Sequence, residues 1–312
     1  MTHGVAALVV LAAIVGWASR ASAYARERVD PPCELVDDFG CAPLFWEGKT
    51  CVTLDIYWNG WKKMPIVEVG RALGAAAHTW SPSAVTCPSA DQASHPYLEI
   101  VPSLAPEAAT AKADGRDAHN VLVFRTTGWL ADMLPAEAIA VTTKTNKKDG
   151  RIVDMDIEVD AEFFDWANLD PGALADGSTS DKFDLQTVIT HELGHFLGLA
   201  HVCNAGNDDD TVDDQGRLVP WCDPSLPAEI RDAVMHAVVE AGEISKRELS
   251  SDDVAGICAI YPASENPRTC ALDLPDDGCG CALGAAPGGG AGLALAVLVF
   301  IGRRRARPRR PA

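Results

Sequence analysis

The run His191-Glu192-Leu193-Gly194-His195-Phe196-Leu197-Gly198-Leu199-Ala200-His201 constrains this chain more than any other feature. Two histidines four apart on a helix project from one face, one turn apart, so both imidazoles can bind a single metal ion. Glu192 lies beside the first ligand, near enough to touch a water on the metal without ligating the metal itself. A third histidine six residues after His195 would point elsewhere if the helix continued, so the helix must stop. Gly198 allows that stop, because glycine tolerates the left-handed backbone that ends helices. The chain then turns and returns His201 to the metal. Three neutral imidazoles leave a fourth position open to water, the arrangement of a catalytic rather than a structural zinc. Two blander readings compete. A degenerate copy of the motif usually loses the glutamate or a ligand, and here all four are present. A purely structural zinc needs a fourth ligand, and none is evident.

Periodicity supplies the frame around this motif. Cys51 to Trp58 alternates, with Val52, Leu54, Ile56 and Trp58 on one face, which predicts a half-buried strand. From Pro65 the period changes. Ile66, Val69, Leu73, Ala76, Ala77 and Trp80 predict an amphipathic helix that ends before Ser81-Pro82. Tyr97–Val101, Val121–Phe124, Ala138–Thr143 and Arg151–Val159 read as strands, the last two joined by a polar loop. Residues 165–183 read as a loop. Asp184 offers an N-cap for the motif helix, whose apolar faces are Leu185, Val188, Ile189, Phe196 and Leu197. Asn204–Pro227 reads as an acidic, irregular loop. A final helix runs from near Ser250 to about Tyr261, where Pro262 stops it. The order predicts an α+β domain with a mixed sheet backed by helices. Residues 24–50 show little periodicity and read as an N-terminal extension to a domain spanning 51–262.

Both ends read as targeting segments. Residues 1–23 carry an apolar run, Val5 to Trp17, before Ala21-Ser22-Ala23, a signal-peptide cleavage pattern; an uncleaved anchor is the alternative. Residues 263–281 form a linker ending in Cys279-Gly280-Cys281. Residues 282–301 are uncharged, densest in apolar side chains from Leu293 to Ile301, and an Arg-rich block follows. Such a stretch can just span a bilayer as a helix, with the arginines left on the cytoplasmic side. The ten cysteines all lie between these ends, which suits disulfides in an exported protein. Cys203–Cys222 and Cys258–Cys270 are the expected pairs. All 44 acidic residues lie within 24–281, and the net charge of −18 argues against a nucleic-acid partner.

The motif as a whole resembles the metzincin metallopeptidases, and the likeness extends beyond it. Met235, in Ala233-Val234-Met235-His236, matches the methionine turn that lies beneath the metal in that family. The matrixins, which are matrix-metalloproteinase-like enzymes, fit best over residues 51–262. Leu249-Ser250-Ser251-Asp252-Asp253-Val254-Ala255-Gly256-Ile257 looks like their last helix, and Asp154-Met155-Asp156-Ile157 like the strand before their active-site helix. The span from His201 to Met235 is longer than in typical matrixins and looks like a disulfide-closed insertion. Pro31-Pro32-Cys33-Glu34-Leu35-Val36-Asp37 shares only Pro, Cys and Asp with the matrixin cysteine switch. The tail resembles the MYXO-CTERM sorting signal of myxobacterial envelope proteins: a Cys-Gly-Cys motif, an apolar helix and an Arg-rich end.

These resemblances imply a zincin-like fold with a twisted mixed sheet, an active-site helix, a methionine turn and a C-terminal helix. They imply a zinc endopeptidase acting on protein or peptide substrates. His191, His195 and His201 would be the zinc ligands, Glu192 the general base, Met235 the support under the metal and Gly198 the helix-ending turn. The substrate would lie extended along a sheet edge, with Ala138–Thr143 as the strand. The protein would be exported and retained at the cell envelope or outer surface, its tail at first in the inner membrane. Calcium on the Asp-rich Asn207–Asp214 stretch is a further expectation, and a solvated acidic loop is the alternative. A non-proteolytic envelope adhesion or scaffold module, or a hydrolase of small amides, are the other classes compatible with the chain.

Overall fold

The computed structural model describes residues 23–31, 36, 40–47, 51–57, 61, 63–88, 99–104, 119–175, 180–206, 210–262 and 296–303. Residues 1–22 (of the stretch 1–23 read as a signal peptide), Cys33, residues 263–281 with Cys279-Gly280-Cys281, residues 282–295 and the arginines after Arg303 lie outside the described residues.

In chain order the elements are β1 (Ala25–Arg26), β2 (Cys51–Tyr57), α1 (Ile66–Thr79), β3 (Glu99–Leu104), β4 (Val121–Arg125), β5 (Ala138–Asn146), β6 (Ile152–Asp160), β7 (Trp166–Ala167), α2 (Pro171–Ala175), β8 (Phe183–Asp184), α3 (Leu185–Phe196), β9 (Leu199–Ala200), α4 (Ala228–Arg231), β10 (Val238–Glu240), a 3-10 turn at Ser245–Arg247, α5 (Ser251–Ile260) and β11 (Ala296–Arg303). The main sheet runs β10-β11-β5-β6-β4-β2-β3. Strands β3, β2, β4 and β6 are mutually parallel where they pair, and β5 is antiparallel to β6. This is a mixed sheet with α1 and α3 packed together, as an α+β reading requires.

Local chemistry explains the elements that place the site. Helix α1 buries Val69, Leu73, Ala76 and Ala77 of the expected stripe together with Ala72, leaves Ile66 half-buried, and ends at the buried Trp80 just before Pro82. The Trp80 indole N–H donates to the Thr190 carbonyl at 2.8 Å, joining the end of α1 to α3. Helix α3 starts at Asp184, whose carboxylate accepts from the Thr187 backbone N–H at 2.9 Å. The same carboxylate takes a two-point contact from Arg247 at 2.6 and 2.7 Å, which satisfies its second oxygen inside the protein. All of α3 except Gln186 is buried, so it is a core helix rather than a surface one.

Residues 23–31 and 40–47, which lack periodicity, nevertheless join this core. Strand β1 pairs with β9 directly after the motif helix, and Trp46 is fully buried. The Trp46 indole N–H donates to the Phe196 carbonyl at 2.8 Å, and the Tyr261 hydroxyl donates to the Leu197 carbonyl at 2.9 Å. The last two carbonyls of the α3 turn thus receive donors from the two ends of the domain, as buried helix ends require.

Two expectations are corrected. The apolar tail is not helical where it is described: 296–303 is a β-strand, antiparallel to β5 and parallel to β10. Val297, Val299, Phe300 and Ile301 favour extended backbone, and the edge of β5 supplies unpaired backbone groups. No helix among the described residues is long and apolar enough to cross a membrane. Second, Cys258 pairs with Cys87 across a separation of 171 residues, not with Cys270. That bond fastens α5 to the segment after α1, a proximity created by the fold and invisible to spacing. Cys203–Cys222 forms as expected, and Cys41 and Cys51 are also disulfide-bonded.

Candidate metal centre

The three motif histidines meet. Their Nε2 atoms lie 3.1 Å (His191 to His195), 3.2 Å (His191 to His201) and 3.1 Å (His195 to His201) apart. All three residues are buried. The tautomers follow from the opposite ring edges. His191 Nδ1 lies 2.7 Å from the Val234 carbonyl and His195 Nδ1 lies 2.9 Å from the Leu199 carbonyl. A carbonyl only accepts, so each Nδ1 carries the proton and each Nε2 presents a lone pair. Burial, followed by the neighbouring imidazoles, holds His191 well below the usual histidine range, and burial with His201 does the same for His195. Neutral lone pairs facing one another in a buried space are a poor hydrogen-bond set and a good cation site. Tetrahedral ligands at zinc–nitrogen distances of about 2.0–2.1 Å would stand about 3.3 Å apart, close to the spacing seen. The donor set therefore fits zinc.

Glycines shape the approach to this point. Gly198 has φ +96°, and a Cβ there would stand 2.8 Å from the Leu44 carbonyl oxygen. The turn that returns His201 thus needs both glycine's positive φ and its missing side chain. A Cβ on Gly194 would stand 2.2 Å from Met235 Sδ, so glycine lets the methionine lie directly against α3.

Met235 sits in a turn pinned from several directions. The Asp253 carboxylate accepts from the Val234 N–H at 2.9 Å and the Met235 N–H at 3.1 Å. The Met235 carbonyl accepts from the Val202 N–H at 3.1 Å, next to His201. Asp253 also closes a capping box with Ser250 at the start of α5. One buried carboxylate therefore ties the last helix, the methionine turn and, through the Val234 carbonyl, the His191 ring.

Glu192 is fully buried beside the cluster. Its Oε2 accepts from the Thr142 hydroxyl on β5 at 2.6 Å, and its Oε1 has no hydrogen-bond partner among the described residues. Burial pushes its carboxyl up to about 8, partly opposed by Thr142. Behind His195 lies a buried ion pair, Lys144 Nζ to Glu27 Oε2 at 2.7 Å, with Glu27 Oε1 3.8 Å from His195 Nδ1. Burial alone would lower the Lys144 pKa, but Glu27 and Asp30 raise it overall. A cavity of ≈ 380 Å³ adjoins β10, lined by Cys222, Arg231, His236, Val238, Glu243 and Lys246 among others.

Each residue expected at the site has a definite place. His191, Glu192 and His195 lie on α3, Gly198 at its end, His201 after β9 and Met235 beneath α3. Sequence reading missed Thr142, Asp253 and the Glu27–Lys144 pair. The reading of 138–143 as a strand and the Ser250-x-x-Asp253 pattern were the available signals, but neither says what the side chain meets. Cys203, Cys222 and His236 also lie close together, but the two sulfurs are committed to a disulfide. Nothing in the described part of the Asp-rich loop supports calcium. The Asp213 carboxylate there accepts from the Gln215 and Arg217 backbone N–H groups and from Arg217 Nε.

Comparison with known proteins bears on this arrangement. The model of the Peptidase_M43 family, described as Pregnancy-associated plasma protein-A, matches residues 168–223, a span that contains the whole histidine motif. No curated protein matches the chain. The match and the histidine cluster together support a zinc metallopeptidase.

Proposed function

We propose that the protein is an exported, zinc-dependent endopeptidase of metzincin type, in which His191, His195 and His201 hold the metal and Glu192 is the general base. The observation that carries this reading is the convergence of three Nε2 atoms beside a buried carboxylate with one oxygen left open. Zinc at such a site supplies Lewis-acid polarisation of a peptide carbonyl and acidifies water. The chain's own residues do the rest. Thr142 orients Glu192 through Oε2, leaving Oε1 to take a proton from attacking water and pass it to the leaving amine. The backbone carbonyls of Val234 and Leu199 fix two ligand tautomers, so both rings present the metal-binding nitrogen throughout.

The matrixin likeness rests on the last helix and on the Asp154–Ile157 strand; Asp253 at the start of that helix holds the turn of Met235, whose Val234 carbonyl in turn meets His191. Disulfides at Cys87–Cys258 and Cys203–Cys222 suit an oxidising compartment. Retention at the envelope follows from the Cys-Gly-Cys motif and the Arg-rich end and is part of the same proposal.

The test is cleavage of labelled casein by wild-type protein and by Glu192→Ala, with metal content measured in both. We expect full zinc occupancy in both and a fall of about 10²–10⁴ in rate for the variant. A chelator should abolish the wild-type rate. Retained turnover in Glu192→Ala would overturn the assignment of the base. Zinc binding without any hydrolysis of casein by the wild type would favour an adhesion module, and cleavage confined to small amides would favour the small-amide hydrolase.

A further inference from the structure

We infer that the cleft is a two-sided strand slot and that the chain's own segment Ala296–Arg303 fills it, keeping the enzyme self-inhibited; this rests on the peptidase reading above. The pairing carries the argument. β11 runs antiparallel along β5, from Ala296 opposite Lys144 to Ile301 opposite Ala138. It then runs parallel to β10, with Ile301, Gly302 and Arg303 opposite Val238, Val239 and Glu240. β5 and β10 are neighbours only through β11, so together they form two rails with room for one extended chain.

Both rails belong to the chemistry already described. Thr142, which orients Glu192, lies opposite Leu298 in the register, and β10 begins three residues after Met235. β11 also contacts α3, the helix that carries His191, Glu192 and His195. The register shifts between Phe300 and Ile301, where the segment passes from one rail to the other. A peptide held by backbone pairing to β5 would need the same edge, and one edge pairs with one strand at a time. Occupation by 296–303 therefore competes with substrate.

The test uses the full chain. In Leu298→Pro/Val299→Pro, two successive backbone N–H groups are lost, one toward each side of the strand, so pairing with β5 fails. Casein cleavage is measured for both chains, with zinc content as the check that the site is intact. We expect the variant to be about tenfold faster at low substrate, with KM lowered and kcat unchanged, because only a competitor has been removed. A synthetic peptide of residues 296–303 should restore the wild-type rate, and the same peptide with both prolines should not. Amides of 138–144 should exchange hydrogen faster in the variant. Equal, chelator-sensitive rates and equal exchange overturn the self-inhibition and leave the peptidase reading standing. No cleavage by either chain, with zinc bound in both, overturns the peptidase reading and the inhibition with it.

Discussion

Beneath the three imidazoles, several polar groups are met by partners from distant parts of the chain. Asp253 reaches Val234 and Met235, Val234 reaches His191, and Trp80 and Trp46 reach the α3 carbonyls at Thr190 and Phe196. The rim is built otherwise. The 204–227 loop is closed by its own disulfide and by local turns around Asp213, and it keeps Leu218 and Trp221 exposed. β11 completes the cleft through backbone pairing with β5 and β10. Buried, cross-linked groups cannot move singly, whereas a strand on an edge can leave as a unit. The floor is suited to holding ligand geometry, and the rim to choosing or refusing a peptide.

The disulfides offer the strongest way to break this comparison. Cys87–Cys258 joins segments 171 residues apart and anchors α5, which carries Asp253; Cys203–Cys222 spans 19 residues within the rim. By loop-closure entropy, losing the first should cost about 5 kcal/mol and losing the second about 3 kcal/mol. Urea unfolding of Cys87→Ser/Cys258→Ser and Cys203→Ser/Cys222→Ser should therefore rank the floor bond above the rim bond. Zinc content should survive only the rim change. The reverse order, or zinc loss from the rim variant alone, would show that the loop holds the site.

Asp253→Ala attacks the floor at one atom group. It strips acceptors from two buried backbone N–H groups and opens the capping box, for a loss of about 3 kcal/mol. Looser zinc binding should accompany the lower unfolding midpoint, because the Val234 carbonyl orients His191. Unchanged zinc affinity would mean that the methionine turn is held without this carboxylate.

The same division explains what could be read from the residues. The ligand motif, the stop at Gly198, the Asp184 cap and the Ser250–Tyr261 helix depend on neighbours a few positions away, and such patterns survive in a linear string. Asp253 looked like one acid in a helix start. Its bond to Met235 needs the turn and the helix to be docked, which no periodicity records. Thr142 carried no signal beyond its place in a strand. Cys87 finds Cys258 only after α1 and α5 are packed. For the tail, the apolar run from Leu293 to Ile301 favours burial without saying in what. A bilayer and an open sheet edge both satisfy that composition, and the described part takes the edge.

Thr142→Val tests where floor and rim touch. The hydroxyl sits on the rail strand but acts on Glu192, so its loss should lower kcat about tenfold, roughly 1.4 kcal/mol, with KM little changed. Thr142→Ser keeps the donor and should restore most of the rate. A KM effect shared by both variants would assign the residue to peptide binding instead.

The one effect that depends on pH concerns Asp252, next to Asp253 and nearly as buried. Its Oδ1 accepts from the Ala23 backbone N–H at 2.5 Å, and its Oδ2 has no hydrogen-bond partner among the described residues. Burial, with Asp253 and Asp214 nearby, raises its carboxyl to about 6. The folded value lies above the unfolded one near 4, so folding favours the protonated form. Its contribution is complete below about pH 4 and is lost as pH rises through about 6. Asp252→Asn keeps an acceptor for Ala23 and removes the charge. In the full chain, the variant should nearly match wild type at pH 4 and exceed it by about 2–3 kcal/mol at pH 7, read by urea unfolding at both values. An equal gap at both pH values would mean that packing, not ionisation, separates the two proteins. A variant less stable at pH 7 would mean that a cation meets this carboxylate, making its charge an asset of the N-terminal strand's attachment to α5.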